Sequence, residues 1–313
     1  MLSFFAGCGG GTGSRKLLTV DFQEAQTLRY KFISSRDIVL DWDPTRVTSK
    51  PDKDTIKKSS ESMEMVVAYT PVEIDPYGLT TIKATCEVVK ANRSSPSGKR
   101  KDAVESFGGK TFTFTVTASG RIEDYSQLDK LIREVGQEVF RSKSGEGRIK
   151  DPDMIGDFIA AQWFLWDSVS SIKKASEGVS VGKTWKSKLS VPTPMVSRIA
   201  REVAYRLDEI RQTEEGQLAV IRSSYMLADS VPSSWPVPYY GRFQVAGQFG
   251  LLTDYKFLGL QGQGEELFNI DAGRIEQYKQ QYQMEVDASF PMGVSTKPRI
   301  TIRQNLEMRL LEN

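Results

Sequence analysis

The sequence contains no histidine among its 313 residues. Without an imidazole group, the Ser-His-Asp and Cys-His mechanisms of nucleophile activation are excluded, as is every metal site that needs a histidine ligand. Only two cysteines are present, Cys8 and Cys86, which are too few for a disulfide framework or a cysteine-ligated zinc site. We therefore expect no catalytic residue, no metal and no cofactor.

The chain also lacks an excess of charge and a long apolar run. Lys and Arg number 42 and Asp and Glu number 40, so the net charge is +2 and the basic footprint of a nucleic-acid-binding protein is missing. A membrane-spanning helix needs about 18 consecutive apolar residues, and the sequence contains no such stretch. With 39% hydrophobic and 26% charged residues, the composition is that of a folded protein of about two domains or one large β domain.

The N-terminus combines a mostly apolar segment, two small residues, a cysteine and a flexible linker. Residues 1–5 precede Ala6, Gly7 and Cys8, and residues 9–14 consist of glycine, threonine and serine. This order resembles the lipobox of bacterial lipoproteins, in which a signal peptidase cuts before the cysteine and a lipid is attached to its sulfur. The resemblance implies a lipid on Cys8, with Ala6 and Gly7 at the small-residue positions.

The apolar segment differs from a complete secretory signal. Phe5 stands where lipoboxes usually have leucine, and no basic residue precedes Cys8. A secretory signal has a basic region and about 7–15 apolar residues. We therefore expect residues 1–19 to be a truncated signal followed by a flexible tether. The alternative is a cytoplasmic N-terminus with an incidental cysteine.

Two short segments recur in the same order along the chain. Residues 67–74 match 203–210, and residues 118–127 match 272–280 with one residue deleted. This order predicts an internal duplication with a first β-rich half at 20–145 and a second at 180–313. A connecting helix is predicted between them, within 146–179.

Alternating apolar and polar residues predict β-strands in both halves, and turn-forming residues at 74–78 and 212–216 predict hairpins. Each half is thus predicted to be an antiparallel meander of about five strands. The predicted strands include residues 63–73, 79–90, 111–117, 200–211, 217–227 and 299–310.

Helical spacing of apolar residues is found at 126–141 and 153–173. Trp163 and Phe164 widen the apolar stripe of the second helix, so we expect it to be buried on more than one side. The fold class is therefore mainly β with a few helices (α+β), with two related antiparallel β-meander halves and helices between them. The sheet is expected either as one curved, half-open barrel or as two units side by side.

Residues 230–255 depart most from ordinary loop composition, because aromatic residues alternate with prolines. They fall where the second half has extra residues, and loops on a fixed scaffold often carry function. This insert is interpreted as a ligand- or partner-binding surface, or alternatively as a lid that seals the open end of the sheet. The binding candidates are Trp235, Tyr239, Tyr240, Arg242 and Phe243.

These features together resemble bacterial envelope lipoproteins, including carrier-type half-barrels that hold acyl chains and a family of duplicated β-rich lipoproteins. The resemblance implies a lipid-anchored protein of the bacterial cell envelope, facing the periplasm or the cell surface. Our leading hypothesis is a membrane-tethered, non-enzymatic protein that binds a hydrophobic ligand or an envelope protein, and no nucleic acid. The alternatives are a structural scaffold without a pocket and a glycan hydrolase that uses two carboxylates.

Overall fold

The computed structural model describes residues 15–45, 55–95, 98–99, 102–140, 148–150, 154–195, 197–232, 236, 244–246, 249, 251–290 and 296–312. Its α-helices are α1 (Ser126–Phe140), α2 (Ile155–Phe164) and α3 (Asp167–Ser170), and two 3₁₀ helices span Ala103–Phe107 and Ala175–Glu177. The strands are β1 (Leu28–Asp41), β2 (Ile56–Ile74), β3 (Thr80–Ser95), β4 (Gly98–Lys99), β5 (Thr111–Val116), β6 (Ile122–Asp124), β7 (Arg148–Lys150), β8 (Thr184–Val191), β9 (Ile199–Thr213), β10 (Gly216–Leu227), β11 (Gln244–Ala246), β12 (Thr253–Asn269), β13 (Arg274–Ser289) and β14 (Arg299–Leu310).

Eleven strands form one open antiparallel sheet in the order β6-β5-β3-β2-β1-β14-β13-β12-β10-β9-β8, with β4 paired to β3. The prediction of a mainly β fold built from antiparallel meanders is confirmed. The first and last of these strands in the chain, β1 and β14, pair with each other in the middle of the sheet. The two halves are therefore parts of one sheet rather than separate units. The duplication itself stays a prediction, although residues 67–74 and 203–210 lie largely on β2 and β9.

Period-2 alternation located the strands well. The strand predicted at 299–310 coincides with β14, and those predicted at 63–73 and 79–90 lie on β2 and β3, which are longer. The prediction of one continuous helix over 153–173 is wrong, because the helix is interrupted at Leu165 and Trp166, between α2 and α3. Trp166 has a non-helical φ of −125°. Its ring packs against the rings of Phe114 and Tyr69, at centroid distances of 5.6 and 5.8 Å, and this tertiary contact has no counterpart in local periodicity.

The sheet has a buried inner face and an exposed outer face. On β1, for example, the inner residues Phe32 and Leu40 alternate with outer residues such as Lys31 and Asp37, which are half-buried or exposed. Burying one face of each strand in this way fixes the register of the sheet. The inner face packs against α2, whose residues are buried apart from Gly156 and Trp163.

Two glycines let β12 lie close to the inner side chains of its neighbours. A β-carbon on Gly264 would lie 2.1 Å from the hydroxyl oxygen of Tyr225, and one on Gly262 would lie 2.5 Å from the Cβ of Tyr282. Contacts this short are sterically forbidden, so only glycine fits at these two positions.

The first described residues run along one end of the sheet. This end, which we call the hairpin end, carries the turns that join β2 to β3, β5 to β6, β9 to β10 and β12 to β13. Lys16 exchanges backbone hydrogen bonds with Val179, and the amide of Val20 donates to the carbonyl of Ala118 at 3.0 Å. The amide of Ala25 then donates to the carbonyl of Pro71 at 3.1 Å before β1 begins.

Candidate functional site

The inner face of the sheet is filled by side chains of α2 and by the residues around it. The rings of Phe158 and Phe107 stack at a centroid distance of 4.1 Å, and the hydroxyl of Tyr69 donates to the side chain of Gln162 at 2.7 Å. Next to Trp166 lies a cavity of only about 10 Å³. Such a space is about the size of a single water probe, so this part of the interior does not accommodate an acyl chain.

A buried group of five charged residues, the ion-pair cluster, joins three strands to the segments that cover them. Glu61 accepts hydrogen bonds from Arg36 and Arg93, with the shortest N–O distance 2.6 Å in each pair. Arg36 also pairs with Asp157 of α2 at 3.2 Å, and Arg93 with Asp102 at 3.4 Å. Burial alone raises the pKa of Glu61, but the two guanidinium groups outweigh it and lower that pKa.

The acids of the ion-pair cluster also hold backbone groups and hydroxyls. Asp102 accepts from the backbone N–H groups of Val104 and Met154, at 2.9 and 3.1 Å, and so fixes the start of a 3₁₀ helix and the approach to α2. Asp157 accepts from the Ser34 hydroxyl at 2.9 Å. Bridging secondary-structure elements in this way is the role of a structural network.

A second buried polar group, the Arg201 cluster, lies between β9, β10, β13 and α2. The guanidinium carbon of Arg201 lies 4.1 Å from the ring centroid of Phe164 and 4.2 Å from that of Tyr225. Arg201 also donates to the hydroxyl of Tyr278 at 3.2 Å and to the side chain of Gln280. Its charge is thus held by ring faces and neutral oxygens, an arrangement that suits a planar guanidinium better than an ammonium group.

Two buried acids of α3 and β12 lie beside the Arg201 cluster. Asp167 accepts hydrogen bonds from Tyr205 at 2.5 Å and Ser187 at 2.7 Å, and Glu266 accepts one from Ser168 at 2.5 Å. Burial raises the pKa of Asp167, and burial together with the charge of Asp167 raises the pKa of Glu266 to about 8. Neither acid lines the grooves of the outer face that are described next.

The outer face carries two adjoining open grooves of about 610 and 810 Å³. Both grooves cross the strands from β1 to β12 and share the side chains of Gln263, Gln281 and Asn305. These three residues are exposed and stand opposite one another in register on β12, β13 and β14. They form the shared floor of the two grooves.

The three amides belong to a longer row that crosses seven strands, which we call the amide row. Strand pairing aligns its members as nearest neighbours, and adjacent strands lie about 4.8 Å apart. Within the described residues, none of these side chains is hydrogen-bonded to another side chain, so their donors and acceptors are available to a ligand. From β10 to β3 the row consists of Ser224, Gln263, Gln281, Asn305, Ser35, Ser62 and Asn92.

Charged residues border the amide row on one side and neutralise each other. Arg222 lies 3.6 Å from Glu265, and Lys279 lies 3.9 Å from Glu307. Exposed pairs of this kind contribute less than about 1 kcal/mol each to stability. The groove therefore presents uncharged hydrogen-bonding groups between balanced charges, which suits a polar ligand of low net charge.

The predicted site residues lie outside the described part of the chain. These are the lipidation candidate Cys8 and the insert candidates Trp235, Tyr239, Tyr240, Arg242 and Phe243. Among the described residues of the insert, Phe249 and Leu252 are buried whereas Val231 and Leu251 are exposed, and the carbonyl of Phe249 accepts from the Tyr255 hydroxyl at 2.8 Å. Cys86 lies on β3, within the strand predicted at 79–90, and is buried, which raises the pKa of its thiol to about 12.

Sequence reasoning missed the Arg201 cluster and the amide row. Arg201 lies at an inward-facing position of β9, in alternation with Val203, Tyr205 and Leu207. An arginine among these alternating apolar residues was therefore a sequence signal for a buried polar group.

Of the described helices, none has the length and apolar character that crossing a membrane requires. Within the described ranges, no three carboxylate or thiol side chains converge as metal ligands do.

No protein-family model matches the chain, and no curated protein matches it by sequence. Among solved structures, it is similar to lipovitellin, studied for its lipid–protein interactions, with a TM-score of 0.43 and 12% identity. That match covers 93% of this chain and 26% of lipovitellin, so the chain spans about a quarter of that protein.

Two bacterial outer-membrane proteins are also similar. The outer membrane protein OprG from Pseudomonas aeruginosa gives a TM-score of 0.21 at 7% identity, covering 93% of this chain and 97% of that one. An outer membrane channel from Pseudomonas putida F1 gives a TM-score of 0.22 at 6% identity, covering 96% of this chain and 98% of that one.

Proposed function

We propose that the protein is a lipid-anchored, non-enzymatic component of the bacterial cell envelope that binds an envelope protein on the outer face of its sheet. The observation that carries the proposal is the contrast between the two faces. The described inner face is occupied by α2 and two buried polar clusters, whereas the outer face has open grooves floored by unpartnered amides. The anchor rests on the lipobox-like context of Cys8.

The distribution of carboxylates supports a non-enzymatic role. Hydrolysis by a carboxylate pair needs one acid with a raised pKa facing the substrate beside a second carboxylate. Asp167 and Glu266 have raised pKa values but are buried away from both grooves. Glu265 and Glu307 line a groove but are exposed and lie near Arg222 and Lys279.

Site-specific photo-crosslinking in cells tests the partner. A photoreactive amino acid replacing Gln281, in the centre of the amide row, is expected to capture an envelope protein. The matched control replaces Glu214, an exposed residue of the β9–β10 turn. Capture at Gln281 should be lost when Gln263→Ala and Asn305→Ala are added. Equal capture at both positions would contradict a partner on the outer face.

Mass spectrometry of the purified protein tests the rest of the proposal. Lipidation predicts a mature protein that begins at Cys8 and carries the mass of a lipid, and the Cys8→Ala variant should be strongly depleted from the membrane fraction. Native spectra separate the ligand alternatives. A hydrophobic molecule retained in a one-to-one ratio, together with no crosslink at Gln281, would favour an acyl carrier over a partner-binding protein.

A structural scaffold is the second candidate, because the same filled inner face suits a protein without a ligand pocket. It predicts that the crosslinked neighbour of Gln281 is another copy of this chain. The mass of the crosslinked product separates the two candidates directly, since a scaffold gives twice the mass of the chain and a different partner gives another sum.

A further inference from the structure

Several exposed apolar side chains lie at the hairpin end of the sheet. Of ten large hydrophobic residues that are exposed in the described part of the chain, five lie on the segments that form this end. They are Leu17 (53% exposed), Val72 (46%), Ile74 (40%), Tyr77 (94%) and Val181 (52%). Single exposed hydrophobic residues are common, whereas several at one end of a molecule indicate an interaction surface.

Backbone hydrogen bonds show that these residues share one end of the molecule. Leu17 follows Lys16, which is paired with Val179 two residues before Val181. Further along the same segment, the amide of Ala25 donates to the carbonyl of Pro71, next to Val72. The apolar residues are therefore carried by segments that are directly bonded to residues 15–26.

The β2–β3 turn at this end is held in a fixed shape. The carboxylate of Asp75 accepts from the backbone N–H of Tyr77 at 2.8 Å and from that of Leu79 at 2.7 Å. Gly78, with a φ of +82°, completes the turn, a backbone conformation that suits glycine. The turn thus presents the ring of Tyr77 to solvent on a rigid support.

The proposed lipid anchor limits how far this end can lie from a bilayer. Seven peptide links separate Cys8 from Arg15, so even a fully extended tether spans at most about 24 Å. The segment that begins at Arg15 must then stay close to the headgroups, and the hairpin end lies with it.

The opposite end of the sheet carries exposed apolar residues as well, namely Met226, Val231, Leu251 and Leu258, together with basic ones. Lys57 and Lys58 open β2, and Lys99 lies on β4 beside the far end of β3. Ile56 pairs with Asp41, at the end of β1 that is farthest from Leu28. Apolar content alone does not distinguish the two ends, so it is the short tether that places the hairpin end, rather than the opposite end, next to a bilayer.

From these observations we infer that the hairpin end is a bilayer-contacting surface, with the Tyr77 turn lying at the level of the lipid headgroups. Tyrosine suits this depth because its ring is apolar and its hydroxyl stays hydrated. The contact holds the sheet upright on the membrane and leaves the amide row facing sideways. This inference rests on the proposed anchor at Cys8, and the following experiment separates the two.

Hydroxyl-radical footprinting on vesicles tests the orientation. The full chain is coupled through Cys8 to a maleimide lipid in phosphatidylcholine vesicles; Cys86 is buried and does not compete. Oxidation of Tyr77 is expected to fall several-fold relative to the chain in solution. Met226, an exposed residue on the outer face away from this end, is the internal control and should keep its rate. Equal rates for Tyr77 in both states would overturn the inference.

A pair of variants provides an independent readout. Using the Cys8→Ser chain, which carries no lipid, the fraction that floats with phosphatidylcholine vesicles is compared with that of I74S/Y77S and of M226S/L258S. The first variant should lose several-fold in bound fraction, and the second should match its parent. Equal loss in both, or none in either, would contradict a contact at the hairpin end. Absence of lipid on native Cys8 would instead refute the proposed anchor, while the footprint still reports on this surface.

Discussion

The hydroxyl of Ser168 donates a hydrogen bond of 2.5 Å to the carboxyl group of Glu266, and both residues are buried between α3 and β12. This contact attaches the short helix that follows α2 to the sheet. Burial raises the pKa of Glu266 to about 8, so near neutral pH the folded protein keeps this acid largely protonated. The attachment of α3 to the sheet is therefore coupled to pH.

The Glu266→Gln variant should be less sensitive to alkaline pH than the wild type. Because the pKa of Glu266 is higher in the folded than in the unfolded chain, folding takes up a proton between about pH 4.5 and 8. The free energy of unfolding contributed by this group is greatest below that interval and falls as the pH rises through it. Gln is always neutral, so the variant should be the more stable protein above pH 8.

Urea denaturation from pH 5 to 9 measures this difference. Glu265→Gln is the matched control, because Glu265 is the adjacent residue on the exposed face of β12. Its stability should change with pH in parallel with the wild type. If the free energy of unfolding of Glu266→Gln also changes with pH in parallel with the wild type, burial does not keep Glu266 protonated.

Glu61→Gln should be among the most destabilising single changes in the sheet. It leaves Arg36 and Arg93 buried without their shared carboxylate, and breaking a buried ion pair costs about 3–5 kcal/mol. Because the folded state lowers the pKa of Glu61, its stabilisation is present at neutral pH and is lost as the pH falls through that pKa. The penalty of the variant should thus shrink in acid.

Chemical denaturation at pH 7 and near pH 4 tests this expectation. Glu64→Gln is the control on the same strand, since its pair with Lys31 is solvent-exposed and contributes less than about 1 kcal/mol. Equal penalties for the Glu61 and Glu64 variants would mean that the ion-pair cluster does not stabilise the fold.

Gly264→Ala and Gly259→Ala should differ sharply although they lie on one strand. A methyl group at 264 meets the Tyr225 hydroxyl at 2.1 Å, whereas one at 259 finds no atom within 4 Å. Overpacking of this kind costs about 1–3 kcal/mol, so only the first variant should unfold at lower urea concentration. Similar midpoints for both would indicate that β12 can move away from Tyr225.

Arg201→Lys keeps the positive charge but should still destabilise the protein. An ammonium group lacks the flat faces that lie between Phe164 and Tyr225, and desolvated cation–ring contacts are worth about 2 kcal/mol or more. Thermal unfolding with near-ultraviolet circular dichroism follows both stability and aromatic packing. Arg222→Lys on the exposed outer face should leave both signals unchanged, and a matching effect there would argue against the ring contacts.

Local pattern predicted most of the strands but not how the two halves join. Alternation marked β14 to the residue, and turn residues marked the hairpin between β2 and β3. Such signals relate only neighbouring strands. The pairing of β1 with β14 joins residues more than 250 positions apart, such as Tyr30 and Leu310, and no local propensity encodes it.

The candidate site was less predictable than the fold. The amide row exists only in the register between seven strands, and that register includes bulges, for instance between Leu267 and Phe268. A shift of one residue would move each side chain to the other face. The lipid-anchor candidate Cys8 stays a prediction, as do the insert residues around Trp235.

The pairing of β1 with β14 also sets the order in which the protein can be built. The central seam of the sheet needs one strand from residues 28–41 and one from residues 299–310, so the sheet cannot be continuous until the final described strand has left the ribosome. Helix α2 is synthesised before β8 to β14, so the strands of the second half that bury it are still missing when it emerges. Folding dominated by such distant contacts is slow, and the newly made chain stays vulnerable to aggregation until the seam closes. A chaperone that shields the chain during synthesis or export should therefore matter more for this protein than for one whose halves close independently.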